Sequence, residues 1–126
     1  MTREKFKSIL DENNYRFTEE GDKIIVAHYT NVYLNRIESI PENVIFNNGS
    51  CVYLDSLKTI PKGVEFRNKG TVSLKRLPLY ELREGVFFNS GSFWCDEFNN
   101  INWEIYIKVR KSRIFNLMIK RGIFKV

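Results

Sequence analysis

Apolar and polar residues recur along this chain with a beat of about twenty residues, from Val32 to about Cys95. Val32-Tyr33-Leu34, Val52-Tyr53-Leu54 and Val72-Ser73-Leu74 fall at one phase, and Ile37, Leu57 and Leu77 follow in register. The pairs Ile40-Pro41 and Ile60-Pro61 match, as do Val44, Phe46 and Gly49 with Val64, Phe66 and Gly70. A fixed period of this length predicts a solenoid, in which each coil stacks only on its neighbours. Within a coil, strand alternation sends Val52 and Leu54 inward and Tyr53 outward. Leu57 and Ile60 return to the core after a bend, and Pro61 turns the chain because it fixes φ and gives no ladder donor. Val64 and Phe66 fill the opposite wall. Gly49 and Gly70 are expected at positive-φ corners, with Asn48 and Asn68 bonding backbone where the corners stack. The third unit is irregular at Leu77–Leu82, and Gly85-Val86-Phe87-Phe88 restores the pattern. Gly91 to Cys95 then matches Gly70 to Leu74 at a spacing of 21.

The flanks obey other periods. Phe6, Ile9 and Leu10 share one side of a helix that Thr2 caps and that runs to about Asn13. Arg16-Phe17-Thr18, a turn at Glu20-Gly21-Asp22 and Lys23-Ile24-Ile25-Val26 read as a hairpin. Together these form an N-terminal cap over residues 1–31, followed by repeats over 32–95. Ile101, Trp103, Ile105, Ile107 and Val109 alternate strictly with polar partners, which predicts a half-buried strand. Ser112 caps a last helix from Arg113 to Arg121, stopped by Gly122. The expected fold is therefore a single α+β domain: a short leucine-rich-repeat-like solenoid of about three coils, closed over 96–126 by a strand and a basic helix.

The unit V-x-L-x-x-L-x-x-I-P-x-x-V-x-F-x-N-x-G resembles a short bacterial leucine-rich repeat. It is closer still to small solenoid proteins encoded by bacteriophages and other mobile elements, and the resemblance covers residues 32–95. That resemblance implies a short, non-enzymatic, cytoplasmic protein that acts by binding a host protein. Some proteins of this kind block a host defence nuclease, as anti-CRISPR proteins do.

Composition narrows the classes. At 126 residues with 43% apolar and 14% aromatic residues, the chain has enough material for one core and is too apolar for a disordered class. No apolar run is long enough to span a bilayer, and the first residues show no secretory h-region. Cys51 and Cys95 stand apart with no CxxC, so free thiols in a reducing bacterial cytoplasm are expected. The net charge of +5 is uneven. Residues 1–104 hold thirteen Lys and Arg against fifteen Asp and Glu, whereas residues 105–126 hold seven basic residues and no acid. A positive excess confined to one end points to an anionic partner.

Two constellations stand out. The first is the basic tail: Lys108, Arg110, Lys111, Arg113, Lys120, Arg121 and Lys125, with Tyr106 alongside. Such a cluster binds nucleic-acid phosphates with salt-dependent affinity, or the acidic or RNA-bearing surface of a protein. Its plainer reading is a solvated face, with Lys120 and Arg121 suiting a helix C-terminus. The second is the outward row of Tyr33, Tyr53 and Trp94, interrupted by Ser73. Rigid aromatics on a sheet make interface anchors or base-stacking platforms, and otherwise pair across strands to stabilise the sheet. Asn35, Asp55 and Lys75 beside them read as solvated surface. His28 reads as a surface or loop histidine. No P-loop, GxGxxG, HExxH, GxSxG or zinc spacing occurs, so neither a cofactor nor an enzyme is expected. The favoured expectation is an inhibitor bound to a host nuclease or its ribonucleoprotein. A direct RNA or single-stranded DNA binder and a self-assembling structural phage protein remain alternatives.

Overall fold

A computed structural model describes residues 1–78, Glu81, Gly85, Val86 and Phe88, and the backbone of Ser92–Trp94 and Ile101–Asn102. Among the described residues the architecture is mixed α+β: one helix and two sheets. Helix α1 (Arg3–Glu12) begins where the Thr2 hydroxyl accepts the Lys5 N–H at 3.2 Å, and it buries Phe6 and Leu10 completely. Strands β1 (Phe17–Glu20) and β2 (Lys23–Val26) make an antiparallel hairpin around Gly21, whose φ of 60° a glycine adopts without strain. Glu19 on β1 takes Lys7 at 3.1 Å and Arg3 at 3.3 Å, tying α1 to the hairpin. The hydrogen bond from Lys7 holds the Glu19 carboxyl below its ordinary value of 4.5, against a smaller opposing effect of burial.

The twenty-residue beat appears as strand register. In the first sheet β2 pairs in parallel with β4 (Val44–Phe46), and β4 with β6 (Glu65–Phe66), so Val26, Phe46 and Phe66 line up. In the second, β3 (Val32–Tyr33), β5 (Val52–Tyr53), β7 (Val72–Ser73) and β8 (Ser92–Trp94) run parallel, with Val32, Val52, Val72 and Phe93 in one row. Strand β9 (Ile101–Asn102) closes that sheet antiparallel to β8. Val32, Val52, Val72, Leu54, Leu57, Leu74, Phe46 and Phe66 are buried between the two ladders, and the rings of Phe46 and Phe66 stack at 5.2 Å. Hydrogen bonds from Phe66 N–H to the Val86 carbonyl and from Phe88 N–H to the Phe66 carbonyl, both 2.7 Å, carry the first ladder one turn further.

One expectation about the corners changes. Gly49 and Gly70 do not have positive φ; Asn43 (60°), Gly63 (77°) and Gly85 (83°) do, each just before an inward valine. Asparagine tolerates the left-handed region well enough to stand in for glycine there. Gly49 and Gly70 are glycines for want of room: a Cβ on Gly49 would lie 2.4 Å from the Tyr29 carbonyl oxygen, and one on Gly70 would lie 2.8 Å from Cys51 N. The asparagine corners are as expected. Asn48 Nδ2 donates to the carbonyls of Thr30, Ser50 and Cys51, and Asn68 Nδ2 repeats the set one turn on with Ser50, Gly70 and Thr71. The repeat also begins before Val32, because β2 lies in the ladder as well as in the hairpin. The rest of the strand expected over Ile101–Val109, the helix expected over 113–121 and Cys95 lie outside the described residues.

Candidate interaction surface

The surface is built from the outward positions of β3 and β5. Val32 and Leu34, and Val52 and Leu54, point into the core, so strand alternation leaves Tyr33 and Tyr53 on the outside. The parallel register sets the two rings directly above one another, 4.8 Å apart and 7° from parallel. Tyr33 is 55% exposed, and Tyr53 is half-buried beneath it. Burial pushes the Tyr53 phenol above its ordinary value near 10, and neighbouring Cys51, Tyr33 and Asp55 push the same way. Cys51 carries a free, half-buried thiol.

The row does not continue as aromatic. Ser73 is 3% exposed and gives its hydroxyl to the Asp55 carboxylate. Trp94 lies next to Ser73 in backbone register, so the expected third anchor is one strand beyond the serine. Asn35 and Asp55 are less free than a solvated row implies. Asn35 Oδ1 accepts the Asp55 N–H at 3.0 Å, and Asp55 Oδ1 accepts the Lys75 N–H at 3.4 Å. Each side chain thus fastens the next turn to its own.

The edge of the sheet at β3 is closed by a residue outside the repeats. Val32 and Leu34 donate to Cys51 and Tyr53 on β5, which leaves the Tyr33 N–H facing the other way. It donates there to the Tyr15 hydroxyl at 2.9 Å. The Tyr15 ring meets His28 edge-on at 5.0 Å, and His28 lies 4.5 Å from the ring of Tyr29, itself 75% exposed. His28 lies in the loop after β2 but not at the surface: it is 8% exposed, and its Nδ1 accepts the Arg16 N–H at 3.3 Å. Tyr15, His28 and Tyr29 form one run of ring contacts and Tyr33 and Tyr53 another, and the hydrogen bond from the Tyr33 N–H to the Tyr15 hydroxyl joins the two. Sequence periodicity finds only Tyr33 and Tyr53. His28 does fall twenty residues before Asn48, at the phase of the corner asparagines, and that was the available signal.

Tyr106, Lys108, Arg110, Lys111, Arg113, Lys120, Arg121 and Lys125 lie outside the described residues. Among the described residues no cluster of His, Cys, Asp and Glu is placed to hold a metal ion, and no helix is long and apolar enough to cross a membrane. Comparison with protein-family models, with curated proteins and with solved structures returned no match.

Proposed function

We propose that this chain is a short solenoid that works by binding a macromolecule rather than by catalysis. In its most concrete form it is a phage-derived inhibitor that sits on a nucleic-acid-handling surface of a host defence nuclease or its RNA-bearing complex, in a bacterial cytoplasm. The observation that carries the binding role is the Tyr33–Tyr53 stack, pre-ordered by the register of β3 and β5. A rigid aromatic pair loses little side-chain entropy on association and is typical of interface anchors. The repeat's resemblance to mobile-element proteins and the acid-free C-terminal stretch favour an inhibitor of a nucleic-acid enzyme over a generic adaptor.

The deciding experiment is affinity capture with the tagged chain from lysates of bacteria carrying CRISPR–Cas systems, with and without nuclease treatment. The expected result is a discrete protein that survives nuclease and is lost from the Tyr33→Ala/Tyr53→Ala double variant. Recovery of nucleic acid alone, abolished by nuclease, would replace this reading with a direct RNA or single-stranded DNA binder. A mass that rises with concentration in sedimentation, with no partner captured, would favour the self-assembling structural protein.

A further inference from the structure

The tyrosine stack ends in a groove. Tyr53 covers one face of the Tyr33 ring. The ladder decides what lies on the other side, because the Tyr33 N–H points away from β5 and meets Tyr15 there. On that side the last turn of α1 approaches β3, and the two elements enclose a groove of ≈ 690 Å³. Ile9, Glu12 and the C-cap Asn13 line it from the end of α1; Tyr33 lines it from β3, and Asn35 and Arg36 from the bend that follows.

Two features of this groove favour a flat cation. Tyr33 lines the groove, is 55% exposed and stacks on one side with Tyr53, and the faces of its ring carry the negative side of a π quadrupole. Glu12 supplies a carboxylate that has no ion pair among the described residues. The molecule builds the complete arrangement elsewhere. The Arg67 guanidinium lies 4.2 Å from the centre of the Phe88 ring while Glu65 accepts from it at 3.0 and 2.6 Å. The groove beside Tyr33 offers the ring and the carboxylate of that triad.

We propose that this groove receives one arginine side chain of a protein partner, with its guanidinium laid on Tyr33 and paired with Glu12. The partner is the one invoked under the proposed function; the chemistry of the groove is independent of it. Arginine fits better than lysine because a planar guanidinium stacks on a ring and pairs with a carboxylate through a fork of donors. Arg36 is the resident competitor for the same place.

The test uses the full chain and a small probe. N-acetyl-arginine amide, charged only at its guanidinium, is titrated in by NMR against its uncharged analogue N-acetyl-citrulline amide. Saturable shifts centred on Tyr33 and Glu12 are expected with the arginine compound and not with citrulline. Tyr33→Leu and Glu12→Gln should each weaken binding about threefold, as expected for one exposed cation–π or carboxylate contact. Arg36→Ala should leave it unchanged or tighter. Equal shifts from both compounds, or none from either, would overturn the proposal. So would binding that appears only in Arg36→Ala, which would mean that Arg36 already fills the place. Failed partner capture with intact arginine binding would remove the proposed function and leave this site standing.

Discussion

The side chains that matter most to this fold are small and polar. Asn48 and Asn68 are almost fully buried, and each amide nitrogen serves three backbone carbonyls where successive corners stack. The Ser50 and Thr71 carbonyls also accept backbone N–H groups, from Gly70 and Val52, so removing Asn68 costs the net worth of its own bonds, about 1 kcal/mol each. Asn68→Ala should therefore destabilise the fold by about 2–3 kcal/mol, read as a lower urea midpoint at unchanged slope. Asn47→Ala, at an exposed neighbour, should stay within about 0.5 kcal/mol of wild type. Tyr53 makes a second prediction through protonation. Its phenol is raised above the ordinary value near 10, first by burial and then by Cys51, Tyr33 and Asp55. The fold thus favours the neutral phenol. Its contribution is complete below the unfolded-state value and is lost as pH rises through the folded-state value. Wild type should lose stability over that alkaline range more steeply than Tyr53→Phe. A tyrosinate absorbance titration should show one phenol ionising late, and that late step should vanish in the variant.

At the level of elements, the parallel ladders face an edge problem that the repeats cannot solve themselves. Each strand hands its bonds to the next, so the first strand of the second sheet has no predecessor. Tyr15 takes that role at β3 by accepting the Tyr33 N–H, and β1 takes it in the other sheet by pairing antiparallel with β2. Exposed edges invite pairing with other chains. Tyr15→Phe should cost about 1 kcal/mol and should speed hydrogen exchange at the Tyr33 amide selectively, leaving Val52 and Val72 protected. Equal acceleration along all three strands would show that Tyr15 acts by packing and not by closing the edge. These elements also show what was legible from sequence. Val32, Val52 and Val72 share a phase and share a row, because a fixed repeat length dictates parallel register. The cap hairpin was legible from Gly21 and alternation. The entry of β2 into the ladder has a signal too, since Ile24 and Val26 stand twenty residues before Val44 and Phe46, but the hairpin pattern around Gly21 masks it. At Gly49 and Gly70 a recurring glycine does not by itself separate a residue lacking room for a Cβ from one needing positive φ. Tyr15 left no periodic trace, since its partner is backbone and its position lies outside the repeat.

At the scale of the whole molecule, shape and charge are divided along the chain. The described turns present the tyrosine stack on a rigid ladder, whereas the seven basic residues of the positive excess fall after residue 104. Dispersed charge and an ordered aromatic pair affect binding in different ways. Charge lengthens the reach of the encounter and is screened by salt, so it sets the association rate. Buried aromatic contact must be undone before the partner leaves, so it sets the dissociation rate. With the captured partner immobilised, reversing Lys108, Arg110, Lys111 and Arg113 should slow association by about tenfold or more at low salt and flatten its salt dependence, with little change in dissociation. Tyr33→Ala/Tyr53→Ala should do the opposite: dissociation faster by about tenfold or more, association and its salt slope nearly intact. The double variant should keep its fold, since Val32, Leu34, Val52 and Leu54, not the tyrosines, fill the core at these strands. If the charge reversal leaves both rates untouched, the basic segment is a solvated face. If it abolishes binding while the tyrosine variant binds as wild type does, the tail alone carries recognition and the ladder serves only to hold it.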